Sequence, residues 1–137
     1  MKRSLRVAVT AALLAFSAVA VWAVVAGAHT VGFNSHVTTA FQPGHRQGND
    51  IFSGTVISAK PLCEQHRRVA VQRSVDGPDA LVGTDFTDAD GRWEVQVHDA
   101  PAGTYYARAT RKVLVRSPGH HLHVCRPGIS NEVKVHG

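Results

Sequence analysis

The densest run of chemically able side chains is His120, His121 and His123, followed by Cys125. Imidazoles bind copper, zinc or nickel. In an extended segment residues 121 and 123 fall on one side, the spacing that two ligands of one metal need. A blue-copper centre also needs a free cysteine thiolate and usually a methionine, and the sole methionine is Met1. A catalytic zinc needs a third ligand, for which His36, His66 and His98 are the distant candidates. A solvated histidine-bearing loop is the ordinary expectation for such a run, so no cofactor is assigned.

Asp85, Asp88 and Asp90 with Gly91 raise the question of calcium. A helix-loop-helix calcium loop places acids at alternate positions and a glutamate at the twelfth. With Asp88 and Asp90 as its third and fifth positions, the first is Phe86 and the twelfth is Val97, so the template fails. Turn chemistry accounts for these residues better: Asp88 and Asp90 can bond local amides, and Gly91 can take the positive φ of a tight hairpin. No G-x-S-x-G elbow is present for a serine nucleophile. Arg108, Arg111, Lys112 and Arg116 form a basic stripe. Protection of an exposed strand by charge is the first expectation for it; contact with an acidic polymer is the alternative.

Residues 1–28 read as a signal peptide. Lys2, Arg3 and Arg6 lead an uncharged, almost wholly apolar run from Val7 to Val25, and Ala26-Gly27-Ala28 supplies a small-x-small cleavage pattern before His29. Ala23, with Val21 two residues before it, is a second possible cleavage site, and an uncleaved membrane anchor is the competing expectation. The mature chain of 109 residues (29–137) keeps twelve Lys and Arg against ten Asp and Glu, a net charge of +2. So small an excess argues against nucleic acid as partner. Two cysteines in an exported chain allow one pairing, Cys63 with Cys125.

The mature chain alternates apolar and polar residues in short runs, broken by Gly, Pro, Asp or Asn, and shows no sustained helical period. Strands are predicted over Phe33–Phe41, Ile51–Ala59, Arg68–Ser74, Leu81–Thr87, Arg92–His98, Thr104–Val115 and Ile129–Val135. Phe52 and Val56, Val69 and Val71, Trp93 with Val95 and Val97, and Tyr105 with Ala107 and Ala109 fall on inward faces. Phe52, Trp93 and Tyr105 are the large core candidates. The expected fold is all-β: a seven- to eight-stranded antiparallel Greek-key sandwich.

Thr87-Asp88-Ala89-Asp90-Gly91-Arg92-Trp93, followed by Gly103-Thr104-Tyr105, resembles the T-D-x-x-G-x-aromatic … G-x-Y signature of transthyretin-like (prealbumin-like) sandwiches, best known from carboxypeptidase regulatory-like domains. Phe52-Ser53-Gly54-Thr55-Val56 is similar to their opening G-x-V strand, and the likeness spans about Ile51 to Val135. The resemblance speaks to the fold more than to the role, since one fold hosts many roles. The enzymes of this build, hydroxyisourate hydrolases, carry a Tyr-Arg-Gly-Ser tail. This chain ends Val133-Lys134-Val135-His136-Gly137, so no catalytic residue transfers. The expectation is a secreted, non-enzymatic binding or structural domain with a protein or glycan partner at the cell surface or outside the cell; the alternatives are an extracellular metal-binding protein that uses the His120–His123 loop and an enzyme of unrecognised type. The chain touches a membrane only if the leader is retained.

Overall fold

The computed structural model describes residues 29–44, 48–114 and 121–137. The leader, Arg116 and His120 lie outside the described residues, and His121 is placed by its backbone. Among the described residues no helix is long and apolar enough to cross a membrane.

The chain is an all-β sandwich. Its strands are β1 (His29–Phe33), β2 (Ser35–Val37), β3 (Ala40–Gln42), β4 (Asp50–Ser58), β5 (Arg68–Arg73), β6 (Ala80–Phe86), β7 (Arg92–Val97), β8 (Gly103–Ala109), β9 (Lys112–Val113), β10 (His121–Cys125), β11 (Gly128–Ile129) and β12 (Val133–Val135). One layer is β4 with β2 and β3 on one side and β7 on the other. The facing layer runs β11-β8-β5-β6, with β12 also on β8. A small third sheet, β1-β10-β9, is attached at one end.

The inward residues of each strand repeat every second position. Val37, Phe52, Val56, Val69, Val71, Trp93, Val95, Tyr105, Ala107, Ala109 and Val135 form one buried cluster between the two layers. Phe52 lies at its centre, with its ring 5.0 Å from Phe41 and 4.8 Å from Tyr105. Gly54, opposite Trp93 on β7, belongs to the same inner row. A Cβ there would stand 2.0 Å from Thr38 O and 2.9 Å from Trp93 Cζ2, so only glycine lets strand and indole approach so closely.

Four expectations need correction. The first strand is broken into β1, β2 and β3. The pairing of β2 and β3 with β4 keeps one register throughout. Between them, Thr55 N donates to Thr38 Oγ1 at 2.9 Å, a hydroxyl standing where a ladder carbonyl would. The predicted Thr104–Val115 strand ends at Ala109, because the next carbonyl, that of Thr110, accepts from the Arg67 guanidinium and not from a neighbouring strand. The last strand divides into β11 and β12 around Asn131, whose side-chain amide pairs with both backbone groups of Thr39: Oδ1 accepts from Thr39 N at 3.1 Å and Nδ2 donates to Thr39 O at 3.0 Å. Finally, the pairing is not antiparallel throughout. β1 and β10 run parallel, with His29 aligned to His121, Val31 to His123 and Phe33 to Cys125. Strands about 90 residues apart are not joined by a hairpin, so no turn imposes the antiparallel direction.

Candidate functional site

Cys63 closes a 3-10 turn (Pro61–Cys63) and Cys125 ends β10. Their sulfurs are bonded, with the Cα atoms 5.4 Å apart. Both cysteines are fully buried and pack with Leu114 and Phe33 in a second core under the small sheet. The bridge therefore ties the His-bearing strand β10, and β1 beside it, to the sandwich.

Arg67 is the functional-looking residue that the sequence reading missed. It is 0% exposed. Its guanidinium donates to Cys63 O (2.8 Å), Thr110 O (2.6 Å), Arg126 O (3.0 Å) and Ser35 Oγ (3.0 Å). No carboxylate is among these partners. Burial lowers its pKa from the ordinary guanidinium value, but a fork of carbonyls replaces the water it has lost. Its parity was the available signal: it shares the inward phase of Val69 and Val71. The ring of acceptors makes it a structural hub joining the disulfide loop, the β8–β9 hinge and the end of β10.

In the turn signature Asp88 does the work. Its Oδ1 accepts from Asp90 N and Arg92 N, each at 2.9 Å. Asp90 contributes its amide there, while its carboxylate stands 4.0 Å from Arg92 Nη1 in an exposed contact. Gly91 has φ +75°, and a Cβ on it would lie 2.4 Å from Val56 O. Gly103 opens β8 opposite Val135. Asp88, Asp90 and Gly91 shape the corner where the edge strands β6 and β7 meet.

At that corner Asp85 Oδ2 accepts from Glu94 N at 2.8 Å, so a carboxylate from one layer occupies the edge of the other. An open groove of about 490 Å³ runs alongside, lined among others by Ser53, Thr55, Asp85, Phe86, Arg92 and Glu94. Its acids are engaged: Asp85 with Phe86 N and Glu94 N, Asp88 in its turn, Glu94 with Gln96 Nε2 at 2.9 Å.

The outer face of the larger sheet is differently composed. Leu81, Phe86 and Ile129 are 60%, 62% and 64% exposed. Phe86 lies directly across from Arg68, and Ile129 directly across from Arg108. Ala70 stands between Thr84 and Arg108 in the same row. Tyr106 anchors the far side by donating to Asp79 Oδ2 at 2.5 Å, and that hydrogen bond raises the phenol pKa above 10.0. Arg108 thus sits on an interior strand, flanked by β5 and β11, where edge protection has no application. Lys112 Nζ is also engaged, donating to Leu62 O (3.0 Å) and Gln65 O (2.6 Å). Of the basic stripe, Arg108 and Lys112 thus stand in different sheets.

Of the histidine run, His123 is half-buried, with its ring edge-on to Phe33 at 5.5 Å. His36, on β2, and His66 and His98, in connections, belong to other parts of the fold. Among the described residues no group of three or more His, Cys, Asp or Glu side chains is gathered as a metal would require. No protein-family model matches the chain, and no curated protein matches it.

Proposed function

We propose that the chain is an exported, non-catalytic sandwich of the transthyretin-like build that binds an acidic protein partner at the cell surface or beyond it. The outer face of the β11-β8-β5-β6 sheet carries this reading. Two of its exposed apolar residues, Phe86 and Ile129, each have an arginine as register partner on the neighbouring strand. Aromatic and arginine side chains are what protein interfaces concentrate, and a basic rim around apolar contacts selects a partner bearing carboxylates. Export is supported by the leader pattern and by a buried disulfide, which persists in oxidising compartments. A non-catalytic role is favoured because the acids lining the corner groove already hold backbone amides or a neighbouring glutamine.

The test is a photo-cross-linking residue placed at Ile129 in cells that export the protein. The expected result is one discrete adduct that protease removes and that Arg108→Glu abolishes without lowering export. An adduct insensitive to Arg108→Glu, or one removed by glycosidase and not by protease, overturns the proposal.

A further inference from the structure

Among the described residues β7 pairs with β4 alone and β6 with β5 alone, so each is an edge of its layer. An edge strand presents unpaired N–H and C=O groups to any strand that reaches it. Ladder parity decides which groups these are. Val56 N donates to Gly91 O at 2.8 Å, so Gly91, Trp93 and Val95 turn their backbone groups toward β4, while Arg92, Glu94 and Gln96 turn theirs outward. Two aspartates meet these outward groups. Arg92 O accepts from Asp88 N and Arg92 N donates to Asp88 Oδ1, each at 2.9 Å. Glu94 N donates to Asp85 Oδ2 at 2.8 Å. On β6, Thr87 N donates to Arg67 O at 2.9 Å, which turns Asp85 toward β5 and Phe86 outward. Phe86 N donates to Asp85 Oδ1 at 2.7 Å. One carboxylate thus caps a donor on each of two open edges.

Asp85 is aligned with the fully buried Val69, in the inward phase of its strand. A charge in that phase is one of the ways proteins blunt an edge against strand addition. We infer that Asp85 guards the β7 edge, and that the strand it keeps away is β7 of a second copy of this chain. The edge is suited to its own copy. Arg92-Trp93-Glu94-Val95-Gln96-Val97 contains no proline and alternates β-branched or aromatic residues with polar ones. Two copies related by a two-fold axis can pair this strand antiparallel with itself. Centred on Val95, the pairing sets Glu94 against Gln96 of the copy, so the outward backbone groups of both meet and like charges are not opposed. The side chains of Glu94 and Gln96 already complement one another along the strand, with Gln96 Nε2 donating to Glu94 Oε1 at 2.9 Å. Asp88 covers Arg92, at the start of the strand; Glu94 N, in its middle, is covered by Asp85. This guard role does not depend on export of the chain or on the outer face of the larger sheet.

The whole chain is expressed, the folded protein is purified with its disulfide intact, and association is measured by sedimentation over a range of concentrations. Asp85→Ala is expected to dimerise at least about 10-fold more tightly than wild type, the change that freeing a backbone donor for an intermolecular bond allows. Amide exchange of Glu94 and Gln96 is expected to slow in the dimer. Asp85→Asn keeps the shape of the side chain but has one acceptor oxygen for two donors, and it is expected to dimerise in the same way should alanine prevent folding. The decisive variant adds Glu94→Pro to Asp85→Ala. Proline removes the donor the guard covers, and because Glu94 N plays no part in the β4 ladder, the edge strand accommodates it. The double variant is expected to return to wild-type association. Dimerisation of Asp85→Ala and Asp85→Asn no tighter than that of wild type overturns the guard role. So does a double variant that associates as tightly as Asp85→Ala, since the contact would then lie elsewhere. Failure of both single variants to fold overturns it as well, by making Asp85 a requirement of the sandwich itself.

Discussion

Arg67 shows how much can depend on one polar side chain in a thin core. Its fork satisfies three carbonyls from three separate segments, those of Cys63, Thr110 and Arg126. Replacing it with alanine leaves those acceptors buried and unpaired, at about 1–3 kcal/mol for each group. Arg67→Ala is therefore expected to lower stability by at least about 3 kcal/mol. Arg67→Lys recovers only part of that loss, because an ammonium is a point donor and cannot span the same acceptors. Urea midpoints of the two variants check the order; equal midpoints for arginine and lysine would contradict it. Asp50 illustrates the opposite charge. Its carboxylate accepts from Gly44 N and Ala100 N, each at 2.8 Å, and these bonds hold its pKa below the ordinary 3.8, the Gly44 bond most strongly. A depressed folded-state pKa contributes stability above the unfolded value, and that contribution is lost as pH falls through the folded one. The stability gap between wild type and Asp50→Asn is thus expected to be full at neutral pH and to close below about pH 4. Denaturation midpoints across that range measure it, and a gap that widened on acidification would contradict the assignment.

At the scale of elements, the disulfide is what fastens the small sheet to the sandwich. The bond spans 62 residues of sequence, a closure of the unfolded chain worth about 4 kcal/mol. The double replacement Cys63→Ala with Cys125→Ala is expected to lower stability by about that amount and to raise amide exchange first in β1, β9 and β10. Uniform loss of protection across all strands would contradict the division into sandwich and attached sheet. The alternating strands were legible in the sequence because burial follows their period directly: Phe52 and Val56, Val69 and Val71, Trp93 and Val95 all lie inside. The places where strands break were not legible. Thr38 and Asn131 end the ladders by offering side-chain groups to backbone about 17 and 92 residues away, and such meetings leave no local pattern. The parallel pairing of β1 with β10 was hidden for the same reason. Arg67 did leave a trace in its parity with Val69, but a charged residue in an inward phase is outweighed by the general exposure of arginine.

For the whole molecule, two layers share one core, and each open corner is closed by a side chain acting in place of a strand: Asn131 on Thr39 at one, Asp85 on Glu94 N at the other. That closure leaves the outer face with Phe86, Ile129 and their arginines as the broad apolar-basic surface. The proposed binding through that face requires a chain that has left the reducing cytoplasm. Intact mass of the protein recovered outside the cell, with and without reductant, tests this requirement most directly. The account predicts the mass of residues 29–137 less two hydrogens, both regained on reduction. A mass that retains the leader, or one that reductant does not change, would contradict it.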